Sequence, residues 1–432
     1  MTARRAAAAA CLAATLAALL LPGRWYLLSL LPFAAGAWLV MRLDRRAALV
    51  LVLLGAVLLP LTAAARPPDS SDDVYRYIWD GRVQLAGVDP YRYPPAAPQV
   101  AGLRDDTLWP AGGHWCVAGG CTLINRPAVP TIYPPVAEGL FAAVAALAPP
   151  AARERPLQLV MAAFAAAVGA LLWRARAALG RDPRRAVLWA WCPMVALEAG
   201  NNAHVDVVAV GLAAAAIWLL ARGRAVAGGV AWGLAIATKL TPALLAPALL
   251  RRRGPAVCLS AAAAVGVVYL PHVLAVGPAV LGYLPGYLHE EGYADGSRFA
   301  LLGAVFPPWL TAPAAAATLA AAAVLTARRA DPDRPWRAAA AMVAATLLVA
   351  APAYPWYALL LVMLVAYGAP AEWLAVAFAA YLAQFAPDMG LATSTAQRIG
   401  YGAALAVVVA GLTVRRRAVR AGTSPIAESV RP

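Results

Sequence analysis

The sequence predicts an all-α protein that crosses a membrane many times. Of its 432 residues, 62% are hydrophobic and only 13% are charged, whereas soluble domains are roughly 45–50% apolar. Apolar runs recur along the whole chain, and short arginine-rich segments separate them. Because about 20 apolar residues span the hydrocarbon core of a bilayer, runs of this kind predict membrane-spanning helices.

The apolar runs can be placed one by one. The candidate spans lie at residues 6–22, 26–41, 47–65, 155–174, 185–199, 203–221, 225–238, 241–250, 255–276, 300–327, 337–353, 356–368, 371–386 and 398–414. They predict a bundle of about 12–14 transmembrane helices. Those broken by Pro or Gly need ends that are buried in protein or that line a polar cavity. The first run follows two arginines, as in a signal peptide, but no small-x-small cleavage site precedes Arg24, so we expect a first helix.

The arginines predict which loops face the cytoplasm. The net charge is +15, and arginines cluster at residues 4–5, 42–46, 174–185, 222–224, 251–253, 328–337 and 415–431. Arginines in short loops mark the cytoplasmic side, so the charge does not indicate nucleic-acid binding. With every cluster inside, residues 66–130 and 277–298 are external. Residues 133–148 would break this pattern as a span, so we expect a helix lying on the outer surface.

The external loop opens with two adjacent carboxylates, Asp72 and Asp73. A carboxylate just past an apolar helix is placed to act as a general base on a substrate hydroxyl at the membrane surface. The alternative is local, because Ser70 or Ser71 can cap a helix whose first turn then holds the two acids.

The same stretch has a helical pattern. Polar residues recur at helical spacing on one side and apolar residues on another; these are Asp73, Arg76, Asp80 and Gln84, and Val74, Ile78 and Leu85. The pattern predicts an amphipathic helix lying at the membrane surface.

Two further polar groups fall on the predicted outer side. Lys239 is the one lysine of the sequence and lies between two short apolar runs. An ammonium there suits the phosphate of a lipid substrate, and the alternative is a lysine that snorkels at a helix end. Asn202, His204 and Asp206 form the second group, close to Glu198. Such groups face a cavity or one another, so they either contact substrate or form a network that holds helix ends.

Cysteines separate into two kinds. Cys11, Cys192 and Cys258 lie in apolar runs and are expected to act as small packing residues. Cys116 and Cys121 lie in the long external loop, where they can close a short disulfide ring. A metal site of these two with His114 is the weaker alternative, because three ligands lack a fourth.

Six short motifs together carry a family resemblance. They are Ser71–Arg82, Asp89–Tyr93, Thr131–Pro135, Asn201–Asp206, Thr238–Pro242 and Tyr354–Tyr357. In this order they resemble the GT-C superfamily of membrane glycosyltransferases, and most closely the bacterial polyprenol-phosphate-mannose-dependent mannosyltransferases. Tyr354 stands where such sequences often have a histidine. The resemblance covers residues 47–414, with additional helices at 1–46, an external loop at 66–154 and a cytoplasmic tail at 415–432 that we expect to be disordered.

The resemblance implies an activity. A hexose, by analogy mannose, would move with inversion from a polyprenyl-phosphate sugar to a glycolipid or cell-envelope glycan, at the outer face of the bacterial plasma membrane and without a cofactor. Asp72 is then the candidate base and Asp73 the reserve. Lys239, Arg126 and Arg298 are candidates for the donor phosphate. The candidate substrate contacts are Arg76, Asp80, Tyr133, Asn202, His204, Asp206 and His289.

Other activities share some of these features. A lipid or sugar transporter would use the same buried charges, but inverted repeats would be expected, and none is visible in the sequence. A ligase or polymerase of lipid-linked glycans shares the donor and moves larger units. A structural scaffold would not need buried acids and a single lysine on one side.

Overall fold

The computed structural model describes residues 2–149, 152–251 and 254–420. The protein is 72% helical, and within these residues the one sheet is an antiparallel pair of short strands. The prediction of an all-α polytopic membrane protein is confirmed. The segment 421–432, which contains most of the predicted tail, lies outside the described residues.

The first 178 residues contain six α-helices and the two strands. They are α1 (Thr2–Leu19), α2 (Leu30–Val40), α3 (Arg45–Ala63), α4 (Asp73–Leu85), β1 (Trp115–Val117), β2 (Gly120–Thr122), α5 (Pro135–Leu147) and α6 (Arg155–Ala178). Helix α3 begins where the Asp44 carboxylate accepts a hydrogen bond from the backbone N–H of Ala47 at 3.0 Å. Helices α5 and α6 begin with a proline in the first turn, where no hydrogen-bond donor is needed.

The remaining helices form the rest of the bundle. They are α7 (Val187–Ala190), α8 (Pro193–Val195), α9 (Asp206–Ala221), α10 (Ala225–Ile236), α11 (Ala246–Leu249), α12 (Gly254–Val276), α13 (Leu284–Glu290), α14 (Pro308–Arg329), α15 (Pro335–Ala350), α16 (Leu359–Tyr367), α17 (Leu374–Gln384) and α18 (Thr393–Arg420). Short 3-10 turns join many of them, and a π-helical turn spans Ala196–Asn201.

Five helical segments among the described residues are long and apolar enough to cross a membrane. They are Arg45–Ala63, Arg155–Ala178, Gly254–Glu290, Pro308–Arg329 and Thr393–Arg417. Several other predicted spans are apolar but shorter or broken, as their Pro and Gly residues indicated. The number of crossings therefore stays a prediction.

The arginine clusters meet at one end of the bundle, which we call the arginine end. Arg5 contacts Asp44 at 2.6 Å, and Arg251 donates to the carbonyl of Arg328 at 3.0 Å. At the opposite end, the loop end, Arg155 donates to the carbonyl of Ala65 at 2.7 Å. The predicted separation of basic loops from the long loop is therefore present in the fold.

Helices α4 and α5 cross closely at the loop end. Tyr77 stacks on Phe141 with ring centroids 4.3 Å apart. A Cβ atom at Gly81 would lie 2.4 Å from the carbonyl oxygen of Phe141, so only glycine allows this approach. The predicted helix at residues 133–148 is thus α5, packed on α4.

The prediction that α4 is an amphipathic surface helix is wrong. Its polar side is buried as deeply as its apolar side, since Arg76 is 4% and Asp80 2% exposed. The reason is that α5 covers one side and the external loop covers another, so polar residues of α4 find partners inside the protein.

The external loop is bonded within itself and is also fastened to α12. The hydroxyl of Tyr91 donates to the carbonyl of Tyr133 at 2.6 Å, and Asp89 lies 2.8 Å from Nδ1 of His272. The Asp89–Tyr93 motif therefore holds the loop against the membrane helices.

Candidate active site

A cavity of about 530 Å³ opens at the loop end. Its walls come from the start of α4, the loop before α5, the connection after α10, and helices α13, α15 and α16. Five of the predicted catalytic and phosphate-binding residues line it; these are Asp72, Asp73, Arg126, Lys239 and Arg298. Residues from four distant parts of the chain thus share one site.

The two carboxylates have different surroundings. Asp72 occupies the N-cap position of α4, but among the described residues its side chain caps no backbone N–H. Instead it accepts a hydrogen bond from Nε1 of Trp115 at 3.1 Å. Asp73 accepts a bond from the side-chain amide of Asn125 at 2.6 Å. Asp72 is therefore the less constrained carboxylate, and Ser71, whose hydroxyl accepts from the N–H of Asp73 at 3.3 Å, is the local cap.

His204 lies behind Asp73 rather than in the cavity wall. It is fully buried, with Nδ1 3.7 Å from Asp73 and Nε2 3.5 Å from Glu198. Its ring stacks on Trp356 at 3.9 Å between centroids, and Trp356 lines the cavity. The geometry makes His204 a support for Asp73 and Trp356.

Asn202 belongs to a network that holds the chain ahead of Asp72. Its amide donates to Ser70 Oγ at 2.8 Å and to Glu198 at 3.1 Å. The neighbouring Asn201 accepts a bond from the backbone N–H of Asp69 at 3.2 Å. Asn202 is therefore part of a network that holds helix ends, rather than a substrate contact. It is buried and does not line the cavity in the described part of the chain.

Lys239 lies in the connection between α10 and the next turn, at the loop end. Its Nζ atom is 3.2 Å from Asp206 Oδ2 and lies 5.1 Å from the ring centroid of Tyr133 and 5.8 Å from that of Tyr357. Asp206 is the first residue of α9, where the helix dipole favours a negative charge. Asp206 thus orients the lysine, while Lys239 and Tyr133 face the cavity.

Arg126 and Arg298 each pair with a glutamate from the end of α13. Arg126 contacts Glu290 at 2.6 Å, and Arg298 forms an ion pair with Glu291. The hydroxyl of Tyr354 donates to Glu291 at 2.9 Å. Burial raises the pKa of Tyr354 to about 12, so the phenol stays a neutral donor. His289, in contrast, is exposed and absent from the cavity wall formed by the described residues, so its predicted substrate contact is not supported.

Arg76 reaches the cavity wall but acts on the backbone. Its guanidinium donates to the carbonyls of Asn125 at 2.9 Å, Arg126 at 2.7 Å and Val129 at 3.2 Å. Arg126 itself has a left-handed backbone, with φ of 45°. Arg76 therefore fixes the loop that presents Asn125 and Arg126, which is a positioning role rather than the predicted substrate contact.

Asp80 lies one turn further along α4, in a buried pair with Glu138. Glu138 accepts bonds from the hydroxyl of Thr131 at 2.7 Å and from Gln84 at 2.9 Å. Burial raises the pKa of Asp80 above its ordinary value. Asp80 does not line the cavity in the part of the chain described, so its predicted substrate contact is also replaced by a structural role.

Cys116 and Cys121 form a disulfide across the β1–β2 hairpin. The hairpin carries Trp115 to Asp72. Among the described residues, no group of three His, Cys, Asp or Glu side chains could hold a metal ion. The disulfide hairpin therefore helps to position Trp115 against Asp72.

The sequence analysis did not single out Trp115, Asn125 or Trp356 as site residues. All three line the cavity, and the first two bond the carboxylates. Asn125 directly precedes Arg126 in the sequence, which was a usable signal. Trp115 had none, because only the path of the loop brings it to Asp72.

Comparison with known families now adds to this geometry. The model of glycosyltransferase family 87 matches residues 131–352, just over half of the 432 residues. The chain belongs to glycosyltransferase family 87. No curated protein and no solved structure matches it.

Membership of family 87 confirms the resemblance to GT-C-type membrane glycosyltransferases. The matched range holds Lys239 and Arg298, together with Asp206 and Glu291, which pair with them. The matched range begins after Asp72 and Asp73, but both residues line the same cavity. A preference for mannose stays a prediction.

Proposed function

We propose that this family 87 glycosyltransferase moves a hexose, mannose by the resemblance, from a polyprenyl-phosphate sugar to a glycolipid or cell-envelope glycan. The observation that carries the proposal is the single cavity that joins two carboxylates to three cations. A base and a phosphate site are the two parts that such a transfer needs.

The carboxylate of Asp72 is proposed as the base. It takes the proton of the acceptor hydroxyl while that oxygen attacks the anomeric carbon of the donor. The bond between this carbon and the phosphate oxygen breaks, the configuration inverts, and polyprenyl phosphate leaves. Support comes from its place in the cavity wall with one side-chain hydrogen bond, from Trp115. Asp73 is the reserve, and its bond to Asn125 favours a supporting role.

The leaving phosphate is assigned to Lys239, Arg126 and Arg298. Each contacts a carboxylate in the free protein, so its position is set before substrate arrives. Preorganised charges stabilise the charge that develops on a leaving group without further rearrangement. These cations supply the positive charge, and the proposal therefore uses no cofactor.

The apolar part of the cavity wall suits the lipid portion of the donor. Apolar side chains line it; they are Leu240, Leu244, Leu284, Leu288, Val343, Leu347 and Leu360. An isoprenoid chain would bury apolar area against them. The outer-face location is part of the proposal, supported by the separation of the loop end from the arginine end.

The test is a transfer assay with purified protein. It compares polyprenyl-phosphate mannose, glucose, galactose and arabinose against a panel of glycolipid acceptors. We expect transfer from polyprenyl-phosphate mannose, with inversion at the anomeric carbon and one sugar added per reaction. Transfer of whole glycans would favour a ligase or polymerase, and movement of lipid without bond cleavage would favour a transporter.

A further inference from the structure

A second cavity, of about 340 Å³, lies at the arginine end. Its wall includes six arginines and one glutamate; they are Arg176, Arg181, Arg185, Arg334, Arg337, Arg415 and Glu372. These come from the end of α6, the following loop, the start of α15, the segment after α16, and α18. Helix α15 joins the two cavities, since Arg337 lies in its first turn and Ala350, about 20 Å further along, lines the first cavity.

Some of the arginines build the floor of this second cavity. Arg176 donates to the carbonyl of Tyr367, and Arg185 donates to the carbonyls of Val365, at 3.0 Å, and Ala369. These bonds satisfy carbonyls at the end of α16, which would otherwise lack partners.

The floor is also tightly packed. Trp336 stacks on Tyr367 with centroids 5.2 Å apart. Gly368 has φ of 139°, and a Cβ atom there would lie 2.7 Å from Nε1 of Trp336 and 3.1 Å from Nη1 of Arg176. The concave shape is therefore fixed by the fold.

Among the described residues, two arginines of the wall, Arg334 and Arg337, give the cavity uncompensated positive charge. Arg415 forms an ion pair with Glu372. Within residues 2–149, 152–251 and 254–420, the guanidinium groups of Arg334 and Arg337 have no hydrogen-bond or ion-pair partner. Holding like charges around one hollow is unfavourable unless an anion neutralises them. The preference for positive inner loops explains why arginines lie at this end, but not why separate segments converge on one hollow.

We propose that this cavity binds a phosphate group, carried either by an anionic phospholipid of the adjacent leaflet or by a soluble phosphate. Arginine forks match phosphate oxygens with paired hydrogen bonds. The site lies at the opposite end of the bundle from the proposed transfer site and does not depend on that proposal.

The experiment measures binding to the full chain in neutral detergent, by native mass spectrometry. The probes are phosphatidylglycerol, phosphatidylcholine and inorganic pyrophosphate. The test variant is Arg334→Gln with Arg337→Gln, and the control is Arg45→Gln with Arg46→Gln, which removes the same charge from exposed residues at the same end. A single Arg337→Gln variant, at an exposed position, serves if the double variant folds poorly.

We expect phosphatidylglycerol to bind the test variant about tenfold more weakly than the unmodified protein and the control. Phosphatidylcholine should show no such difference. If pyrophosphate shows the difference and phosphatidylglycerol does not, the site takes a soluble phosphate, which also supports the proposal. Equal affinities of the test variant and the control for both anions would overturn it.

Discussion

The two cavities of this protein hold their positive charges in opposite ways. At the loop end, Lys239 faces Asp206 and Arg126 faces Glu290, and the carboxylates of Asp72 and Asp73 lie in the same wall. At the arginine end, the cavity wall holds six arginines and one glutamate, Glu372, which forms an ion pair with Arg415. The first cavity is close to balanced, whereas the second has a large positive excess.

This difference separates two tasks. A site that takes up an anionic substrate and releases an anionic product in each cycle cannot hold anions too tightly. Cations that already contact carboxylates are oriented but only moderately attractive to a phosphate, because a new anion must compete with the existing partner. A site that contains arginines without such partners in the described part of the chain, here Arg334 and Arg337, favours an anion that stays. We therefore expect substitutions at the loop end to change the rate of sugar transfer. Substitutions at the arginine end should change the affinity for a bound anion.

The largest effect is expected at Asp72. Asp72→Asn should lower the rate of sugar transfer by roughly 10²–10⁴-fold, because an amide cannot act as the base that removes the proton of the acceptor hydroxyl. The measurement is the initial rate with polyprenyl-phosphate mannose in proteoliposomes. Asp106→Asn, an exposed acid of the same external loop, is the matched control.

An unchanged rate in Asp72→Asn would remove Asp72 as the base. The corresponding Asp73→Asn variant then decides between the two carboxylates. If Asp73→Asn alone abolished transfer, the base would be the carboxylate that Asn125 and His204 surround.

Lys239→Ala should have the next largest effect. We expect kcat/KM for the donor to fall about 10²-fold, since one preorganised charge opposite the leaving phosphate is removed. The KM for the acceptor should change little. Lys239→Arg is the conservative control and should retain part of the donor effect, because a positive charge remains beside Asp206. A change confined to the acceptor KM would place the donor phosphate elsewhere.

A smaller effect on activity is expected when the disulfide of the β1–β2 hairpin is removed. Cys116→Ser with Cys121→Ser should destabilise the hairpin by about 2 kcal/mol and raise the rate of amide hydrogen exchange in residues 115–122. Because Trp115 would then hold Asp72 less firmly, we expect a loss of activity of a few fold, smaller than in Asp72→Asn. Cys192→Ser, a buried cysteine outside the hairpin, is the control. Free thiols at both positions in the unreduced wild type would contradict the disulfide.

Much of the fold was predictable because apolar runs and arginine clusters report directly on membrane helices. Most candidate spans overlap helices, but 185–199 and 241–250 contain only short helical pieces. The helix in 300–327 begins at Pro308, and 398–414 is part of a helix that reaches Arg420. The predicted topology placed Asp72, Lys239, Arg126 and Arg298 on one side of the membrane, and all four line one cavity.

The errors have a common cause. The helical spacing of Arg76 and Asp80 predicted a polar face but not what covers it, and both side chains turned out to be buried. The loop between Leu85 and Thr131 has little periodicity, so the sequence could not show that it brings Trp115 and Asn125 to the carboxylates. The predicted substrate contact of His289 failed for the same reason, because the sequence of a short helix does not show which side faces a cavity.

The smallest expected effect concerns the buried pair beneath the loop-end cavity, and it is visible only against pH. Burial raises the pKa of Asp80 in the folded protein, while in the unfolded chain it titrates near its ordinary value of about 4. Between these values the folded state binds more protons than the unfolded state. The stabilising contribution of protonated Asp80 is therefore complete at low pH and is lost as the pH rises toward neutrality.

Asp80→Asn removes this titration while keeping the size of the side chain. The Tm of the unmodified protein minus that of Asp80→Asn should therefore fall as the pH rises from about 4.5 to 7, by the equivalent of about 1 kcal/mol. Asp106→Asn, which is exposed, should give a flat difference over the same range. If the difference rose with pH instead, Asp80 would be an ionised partner of Arg76 in the folded state. The loop end would then hold one more paired charge, and its contrast with the arginine end would be sharper.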